Sequence, residues 1–220
     1  MRDRFIRPLA AAVLFTAGFG ACVPALAQDQ GEINRQLLAA AKDDDQQSVV
    51  AALQRGASVD AMNRIGDTAL VTACKKGDAA MARTLIERGA DVQHANAPGD
   101  TPLMAAAYGG FDEIVALLLA HGANPLATDR VGKTAMEYAA GQGHTKVVGQ
   151  LLDAGVDVNR AYKNDLTALM WAAGYDRAET AQFLLARGAN RSLKDNRGMT
   201  AKDIAVQTKS EKVAGLLSAG

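Results

Sequence analysis

The feature that most constrains the fold of this chain is a repeat with a period of 33 residues. Five threonines keep this spacing, and five glycines keep it in the same phase. The two series are Thr68, Thr101, Thr134, Thr167 and Thr200, and Gly56, Gly89, Gly122, Gly155 and Gly188. Such a period is typical of a stacked array, in which each unit packs only against its neighbours.

The stretch that begins at Gly99 indicates how one unit is built. Gly99 suits a turn that needs a positive φ, and Thr101 can cap a helix whose first turn accepts Pro102. In the fifth unit Asp165 replaces the turn glycine, and we expect the turn to survive there with some strain. The apolar residues of the second helix that should face the core are Ile114, Leu117 and Leu118. Each unit is thus predicted to be a hairpin followed by two antiparallel helices.

These repeats resemble the ankyrin repeat, on the strength of the period, of TPLMAAA from Thr101 and of GADV from Gly89. The resemblance covers the chain from Ile33 to the C-terminus. It implies an all-α solenoid of about six helix-turn-helix repeats with short β-hairpin loops. The approximate units are 33–65, 66–98, 99–131, 132–164, 165–197 and 198–220. In such proteins the partner surface usually comprises the hairpin tips and the exposed side of the first helices.

Residues 1–27 are predicted to be a secretory signal peptide. Three arginines precede an apolar segment, which ends in the small-x-small sequence Ala25-Leu26-Ala27. We therefore expect export to a bacterial periplasm, with cleavage after Ala27 and a short linker at 28–32. One alternative is a transmembrane anchor, but the apolar run is shorter than the roughly 20 residues that a spanning helix needs. Another alternative is lipidation at Cys22.

The charge balance gives no reason to expect a nucleic-acid partner. The chain has 24 basic and 24 acidic residues, and cleavage after Ala27 would leave 21 and 23. A mature protein close to neutrality has no strong field that attracts nucleic acid. Only Cys74 would remain after cleavage, so no internal disulfide can form, and its place among alanines of other units predicts a buried thiol.

No segment has the residue spacing of a catalytic, cofactor or metal site. Phosphate-binding loops and nucleophile elbows are absent from the sequence. His94, His121 and His144 lack the spacing of zinc ligands, and the acidic run Asp43–Asp45 lacks the pattern of a calcium loop. The sequence therefore does not support an enzyme, and we predict neither cofactor nor metal.

A partner surface is predicted from the residues that vary between units, because these are free of packing duty. Aromatic side chains are few in the mature chain but gather in units three to five, and interface hot spots are rich in tryptophan, tyrosine and arginine. An alternative is that Trp171 and Tyr138 only fill space beside small alanines. The predicted partner-binding residues are Arg64, Lys75, Lys76, Asp100, Tyr108, Arg130, Lys133, Tyr138, Tyr162, Lys163, Leu166, Trp171 and Tyr175.

We accordingly expect a monomeric, non-catalytic periplasmic scaffold that binds a protein partner and has no integral membrane span. The resemblance to exported bacterial ankyrin-repeat proteins suggests support of an envelope or oxidative-stress enzyme. The alternatives are an immunity or inhibitor protein that occludes a toxin or enzyme, and an envelope-anchored structural lipoprotein.

The N-terminal prediction can be tested by intact-mass spectrometry of the protein recovered from a bacterial envelope. We expect a mature chain that begins at Gln28, since the small residues before it suit signal peptidase. An acylated Cys22 at the N-terminus would instead support the lipoprotein alternative. An unprocessed chain would contradict both readings.

Overall fold

A computed structural model describes residues 23–218, and this part of the chain contains helices but no β-strand. The α-helices are α1 Val23–Lys42, α2 Gln46–Gln54, α3 Ala69–Lys76, α4 Ala79–Glu87, α5 Pro102–Gly109, α6 Asp112–Ala120, α7 Ala135–Gln142, α8 Thr145–Asp153, α9 Ala168–Gly174, α10 Ala178–Ala186, α11 Ala201–Gln207 and α12 Glu211–Ser218. A single turn of 3₁₀-helix, Lys163–Asp165, precedes α9.

The helices form six consecutive pairs that stack side by side. In each pair an odd-numbered inner helix packs against the even-numbered outer helix that follows it. Each inner helix from α1 to α9 also contacts the next inner helix, and each outer helix from α4 to α10 contacts the next outer helix. The prediction of an all-α solenoid of helix-turn-helix repeats is therefore confirmed.

The repeated threonines begin the inner helices. The hydroxyls of Thr68, Thr101, Thr167 and Thr200 accept a hydrogen bond from the backbone N–H three residues later. Pro102 is the first residue of α5, where a missing N–H has no cost. These caps satisfy amide groups that would otherwise lack partners at the start of α3, α5, α9 and α11.

The core is a continuous layer that runs through all the units. Leucines recur at the same phase of four outer helices and are fully buried: Leu85, Leu118, Leu151 and Leu184. Small residues recur at the inner-helix contacts and are also fully buried: Ala73, Ala106, Ala139 and Ala172. Of the predicted core residues, Ile114 and Leu118 are buried, whereas Leu117 is half-buried and packs against the edge of the core. Because alanine leaves little volume between the helices, neighbouring inner helices can approach closely.

Cys74 lies in this core and is fully buried, as the sequence predicts. Burial raises the pKa of its thiol to about 12. The thiol therefore stays protonated at neutral pH and packs as a small apolar group.

The loops between units are tight turns rather than paired strands. In the loop before α3, the Asn63 amide donates to the Asp67 carbonyl oxygen at 3.0 Å and closes the turn. The next loop is joined to it by one bond, from the Ala97 amide to the Ile65 carbonyl oxygen at 2.9 Å. One closing bond and one bond to the neighbour are too few for a ladder, so the expected β-hairpins appear as turns.

The turn before α9 survives without its glycine. Asp165 has a φ of 59° and the adjacent Asn164 a φ of 62°, both in the left-handed region that asparagine and aspartate tolerate best after glycine. The strain that was expected at Asp165 is thus shared by two residues.

The predictions for the N-terminal segment fall mostly outside the described residues. Residues 1–22, with Cys22 and most of the predicted signal peptide, are not described, and cleavage after Ala27 stays a prediction. Residues 28–32, predicted to be a linker, belong to α1, and the side-chain amide of Gln30 donates to the Gly56 carbonyl oxygen at 2.8 Å. Within residues 23–218, no helix combines the length and apolar character that crossing a bilayer requires.

The shared core leads to a stability prediction. Leu118→Ala should lower the free energy of unfolding by about 2–5 kcal/mol, because it removes buried methyl groups from the middle of the stack and leaves a cavity. Urea unfolding followed by circular dichroism measures this change. The control is Leu126→Ala, at an exposed loop position, which should change stability by no more than about 0.5 kcal/mol. Equal effects of the two substitutions would contradict the continuous core.

Candidate functional site

The surface of interest is formed by the inner helices and by the loops that precede them. We call this surface the inner face; it consists of the solvent-facing side chains of α3, α5, α7, α9 and α11 and of the loops before these helices. Since the outer helices cover the opposite side of the inner ones, the inner face is the side on which the inner helices of several units bring their solvent-facing side chains together.

A chain of aromatic and cationic side chains crosses the middle of the inner face. Tyr108 and Tyr138 meet edge to face, with ring centroids 5.8 Å apart. The ammonium of Lys133 lies 5.4 Å from the Tyr138 centroid and 4.6 Å from the Trp171 centroid. Trp171 in turn stacks on Tyr175, with centroids 6.0 Å apart and an interplanar angle of 7°. We call these five residues the aromatic ridge.

The repeat spacing explains how the ridge forms. Tyr138 and Trp171 occupy the same phase of α7 and α9, so they lie side by side on adjacent inner helices. Gly141 presents no side chain toward the stacked pair, and a Cβ built there would lie 3.6 Å from ring atoms of both Trp171 and Tyr175. The absent side chain leaves the two rings room to lie against α7.

Two hollows lie beside the ridge, one on each side. The first has a volume of about 410 Å³ and is lined by Lys75, Asp100, Met104, Ala105, Tyr108, Gly109 and Tyr138. The second has a volume of about 300 Å³ and is lined by Leu166, Met170, Trp171, Gly174, Tyr175, Arg197, Ile204 and Thr208. Each hollow opens above small residues, Ala105 and Gly109 in one and Gly174 in the other. Both hollows are large enough to accept a side chain from another molecule.

The ridge is anchored to the loops by hydrogen bonds. The Tyr138 hydroxyl donates to Oδ2 of Asp129 at 2.5 Å. Burial, this hydrogen bond and the negative charge of Asp129 together raise the pKa of Tyr138. The hydroxyl consequently remains a neutral donor at any physiological pH and holds the ring at a fixed angle.

The predicted partner residues fall into two groups. Arg64, Arg130 and Lys163 lie exposed at the loop tips, whereas Asp100 lines the first hollow and Leu166 the second. The five ridge residues were all among those predicted from the sequence. Together these side chains extend from the loop before α3 to the end of α9.

Three other predicted residues have contacts within the chain. Lys75 forms an ion pair with Asp67 at 2.7 Å. Lys76 pairs with Asp44 of the first unit at 2.6 Å and therefore belongs to the N-terminal cap. Tyr162 turns inward, so that its hydroxyl is buried. The alternative interpretation, in which Tyr138 and Trp171 only fill space beside small alanines, also has a physical basis. Both rings pack partly against the core.

The residues at the base of each hollow were not predicted from the sequence. Met104, Ala105 and Gly109 in the first, and Met170, Ile204 and Thr208 in the second, were not singled out. The sequence did contain a signal for the first hollow. Ala105 occupies the repeat position that Tyr138 and Trp171 occupy in the next two units. A small residue next to large ones at the same phase indicates a depression on a stacked surface.

The three histidines each donate to a backbone carbonyl oxygen. His94 Nε2 lies 2.8 Å from the Gly66 oxygen and His144 Nε2 lies 2.9 Å from the Tyr108 oxygen, so both connect adjacent units. His121 Nδ1 lies 2.8 Å from the Leu117 oxygen at the end of α6. Among residues 23–218, no group of three or more His, Cys, Asp or Glu side chains is arranged to hold a metal ion.

A buried polar cluster lies where the start of α7 meets the loop before α9. Glu137 Oε2 accepts from the Thr134 amide at 2.7 Å, but its Oε1 has no partner among the described residues. The hydroxyls of Thr134 and Tyr162 are also buried without a partner there. Burial raises the pKa of Glu137, and burial together with the charge of Glu137 raises the pKa of Tyr162. The cluster therefore opposes stability when Glu137 is ionised.

This cluster predicts that Glu137→Met stabilises the protein at neutral pH by about 1 kcal/mol, since it removes a buried carboxylate with an unpaired oxygen. Units three and five already carry Met104 and Met170 at this phase. Because the folded-state pKa of Glu137 is raised, the wild-type penalty appears above the ordinary value of 4.5 and grows as pH rises. Thermal unfolding should show a smaller gain in acid than at neutral pH.

The matched control is Asp203→Met, at the same phase of the sixth unit. Asp203 accepts from the Thr200 amide at 2.9 Å and from its hydroxyl at 2.7 Å, and these bonds lower its pKa. Its stabilising effect is therefore present above the ordinary value of 3.8 and is lost as pH falls. This substitution should destabilise the protein at neutral pH. If both substitutions increased stability, the destabilising effect assigned to the Glu137 carboxylate would be contradicted.

Comparison with known proteins supports the repeat assignment. A family model described as "Ankyrin repeats (3 copies)" matches residues 37–129, 89–162 and 137–220, which together cover most of the chain. A comparison with curated proteins found no significant match.

Proposed function

Since the chain belongs to the ankyrin-repeat family, whose repeats are typical of protein-binding scaffolds, we propose that it is a non-catalytic scaffold that holds a protein partner on its inner face. The aromatic ridge is the centre of this interface, and the two hollows beside it receive side chains of the partner. The exposed cations at the loop tips form the polar rim.

The observation that carries this proposal is the aromatic ridge. Only 5% of the chain is aromatic, yet four of these side chains gather on one face with a lysine among them. Tyr108 and Tyr175 are 56% and 53% exposed, which is more than packing within the chain requires. Trp171 and Tyr138 are half-buried beside them, and exposed tyrosines next to a half-buried tryptophan are typical of interface hot spots.

The proposal includes a periplasmic location and a partner among envelope or oxidative-stress enzymes. The location is supported by the charged, apolar and small-residue order of residues 1–27. In an oxidising compartment, a mature chain with one thiol avoids mispaired disulfides, and that thiol is buried.

The function can be tested with the double variant Trp171→Ala/Tyr175→Ala. It should reduce partner binding at least about tenfold, because loss of hot-spot aromatics commonly costs 2 kcal/mol or more. The measurement is quantitative affinity capture from periplasmic extract, with the captured protein identified by mass spectrometry and its affinity then measured by calorimetry.

Two further variants keep this test independent of folding. Ala105→Leu should fill the first hollow and weaken binding while it leaves the buried core unchanged. Phe183→Ala removes an aromatic side chain from the outer helix α10 and should leave binding intact. Circular dichroism should show a helical array in all of them. Unchanged capture by both inner-face variants would refute the proposed interface.

A further inference from the structure

We infer that the segment of the partner that lies on the inner face is an extended, acidic peptide segment with apolar side chains at intervals. This inference rests on the proposed function and gives the partner a chemical class. It follows from an imbalance: three of the loop carboxylates, those of Asp67, Asp129 and Asp195, are used inside the protein, whereas the cations at the loop tips point to solvent.

The carboxylates of Asp67, Asp129 and Asp195 are buried and engaged in contacts within the chain. Asp129 accepts from the Val131 and Lys133 amides through Oδ1, both at 2.9 Å, and from the Tyr138 hydroxyl through Oδ2. Asp67 accepts from Lys75 at 2.7 Å and from the side-chain amide of Asn96 at 2.7 Å. These contacts close the loops and join adjacent units, so the carboxylates are not available to a partner.

Asp195 repeats the same arrangement in the last loop. Its Oδ1 accepts from the Arg197 and Met199 amides at 2.9 Å, and its Oδ2 accepts from the Arg197 guanidinium. Each of these three aspartates is less than a tenth exposed. The turn chemistry of the repeat therefore removes negative charge from the inner face.

The cations of the same loops remain outside. Arg64 and Arg130 are exposed, and in the described part of the chain neither side chain forms a hydrogen bond or an ion pair. Lys163 is exposed at the equivalent position of the loop before α9 and donates only to the Val131 carbonyl oxygen, at 3.0 Å. Since all three occupy the same phase of their units, they form a row of positive charge along the loop tips.

The carboxylates near this row are fewer than its cations, and they are less favourably placed to face a partner. Asp100 lines the first hollow, where the Asn96 side-chain amide lies 3.4 Å from its Oδ2. Asp165 is exposed beside Lys163 in the strained turn. Lys133 adds a further cation at the centre of the ridge, above Trp171. A carboxylate that approached the ridge would thus meet positive charge from the loop tips and from the ridge itself.

The apolar features select an extended segment rather than a lipid surface. Ile65 and Val131 are 52% and 54% exposed beside the tip arginines, so apolar and cationic side chains alternate along the row. The hollows, however, are recessed between inner helices, where a flat bilayer could not fill them. A peptide strand can place one side chain in each hollow while its carboxylates face the cationic row.

The direct test uses synthetic peptides of about 10 residues, which span about 33 Å when extended and so cross three inner helices at about 8–10 Å spacing. One peptide alternates glutamate and leucine, one lysine and leucine, and one serine and leucine. Trp171 is the single tryptophan of the chain, so its fluorescence reports occupation of the ridge. We expect the glutamate peptide to bind most tightly, with an affinity that falls as salt is added.

The variant that isolates the charge effect is Arg64→Glu/Arg130→Glu. It should weaken binding of the glutamate peptide by about tenfold and reduce its salt dependence, because two attractions become repulsions. The matched control is Lys146→Glu/Lys212→Glu, which makes the same charge change on the outer helices α8 and α12 and should leave binding unchanged. Circular dichroism of both variants controls for folding.

The outcomes separate this inference from the proposed function. If the aromatic variant loses the native partner while charge reversal does not, and the three peptides bind equally, the inference is wrong and the scaffold function stands. If none of the inner-face variants affects capture, both are wrong. Binding to vesicles of phosphatidylglycerol without any peptide preference would overturn the inference in favour of a membrane surface.

Discussion

The structure depends on stacking between units that cannot be stable alone. Each pair of short helices exposes an apolar side that only its neighbour can cover, and the buried leucines of α4, α6, α8 and α10 therefore form one continuous layer. Alanines at the inner-helix contacts set how closely the helices approach. Because these repeat positions are needed for packing between units, the remaining positions of each repeat determine which partner the protein can recognise.

The same constraint sets the electrostatics of the inner face. A tight turn needs an acceptor for its own amides, and an aspartate or asparagine side chain provides it in the loops before α3, α5, α7 and α11. Where the acceptor is an aspartate, this role buries its carboxylate, and in the other loops the acceptor is the uncharged side chain of asparagine. The arginines and lysines of the loop tips remain in solvent. A chain with balanced formal charge thus presents a face on which positive charge is the more accessible.

The junction between units four and five departs from this rule. Tyr162 stands where the other loops have aspartate or asparagine, so its loop lacks the acceptor and forms a short 3₁₀ turn with two residues at positive φ. Its hydroxyl is directed inward toward Thr134 and Glu137, where polar atoms lack partners. Three of the five buried polar side-chain atoms that lack a partner in the described part of the chain therefore belong to this junction.

The sequence by itself determined the fold, since a strict period fixes which residues share a layer and which helices must be neighbours. It also placed Tyr138 and Trp171 side by side, because equal phase in adjacent units means adjacency in space. Only the tertiary structure decided the hollows, the pairing of Lys76 with the first unit and the inward turn of Tyr162. Those outcomes depend on the volumes and hydrogen-bond partners that neighbouring units supply, and such contacts between distant segments are not encoded in any single repeat.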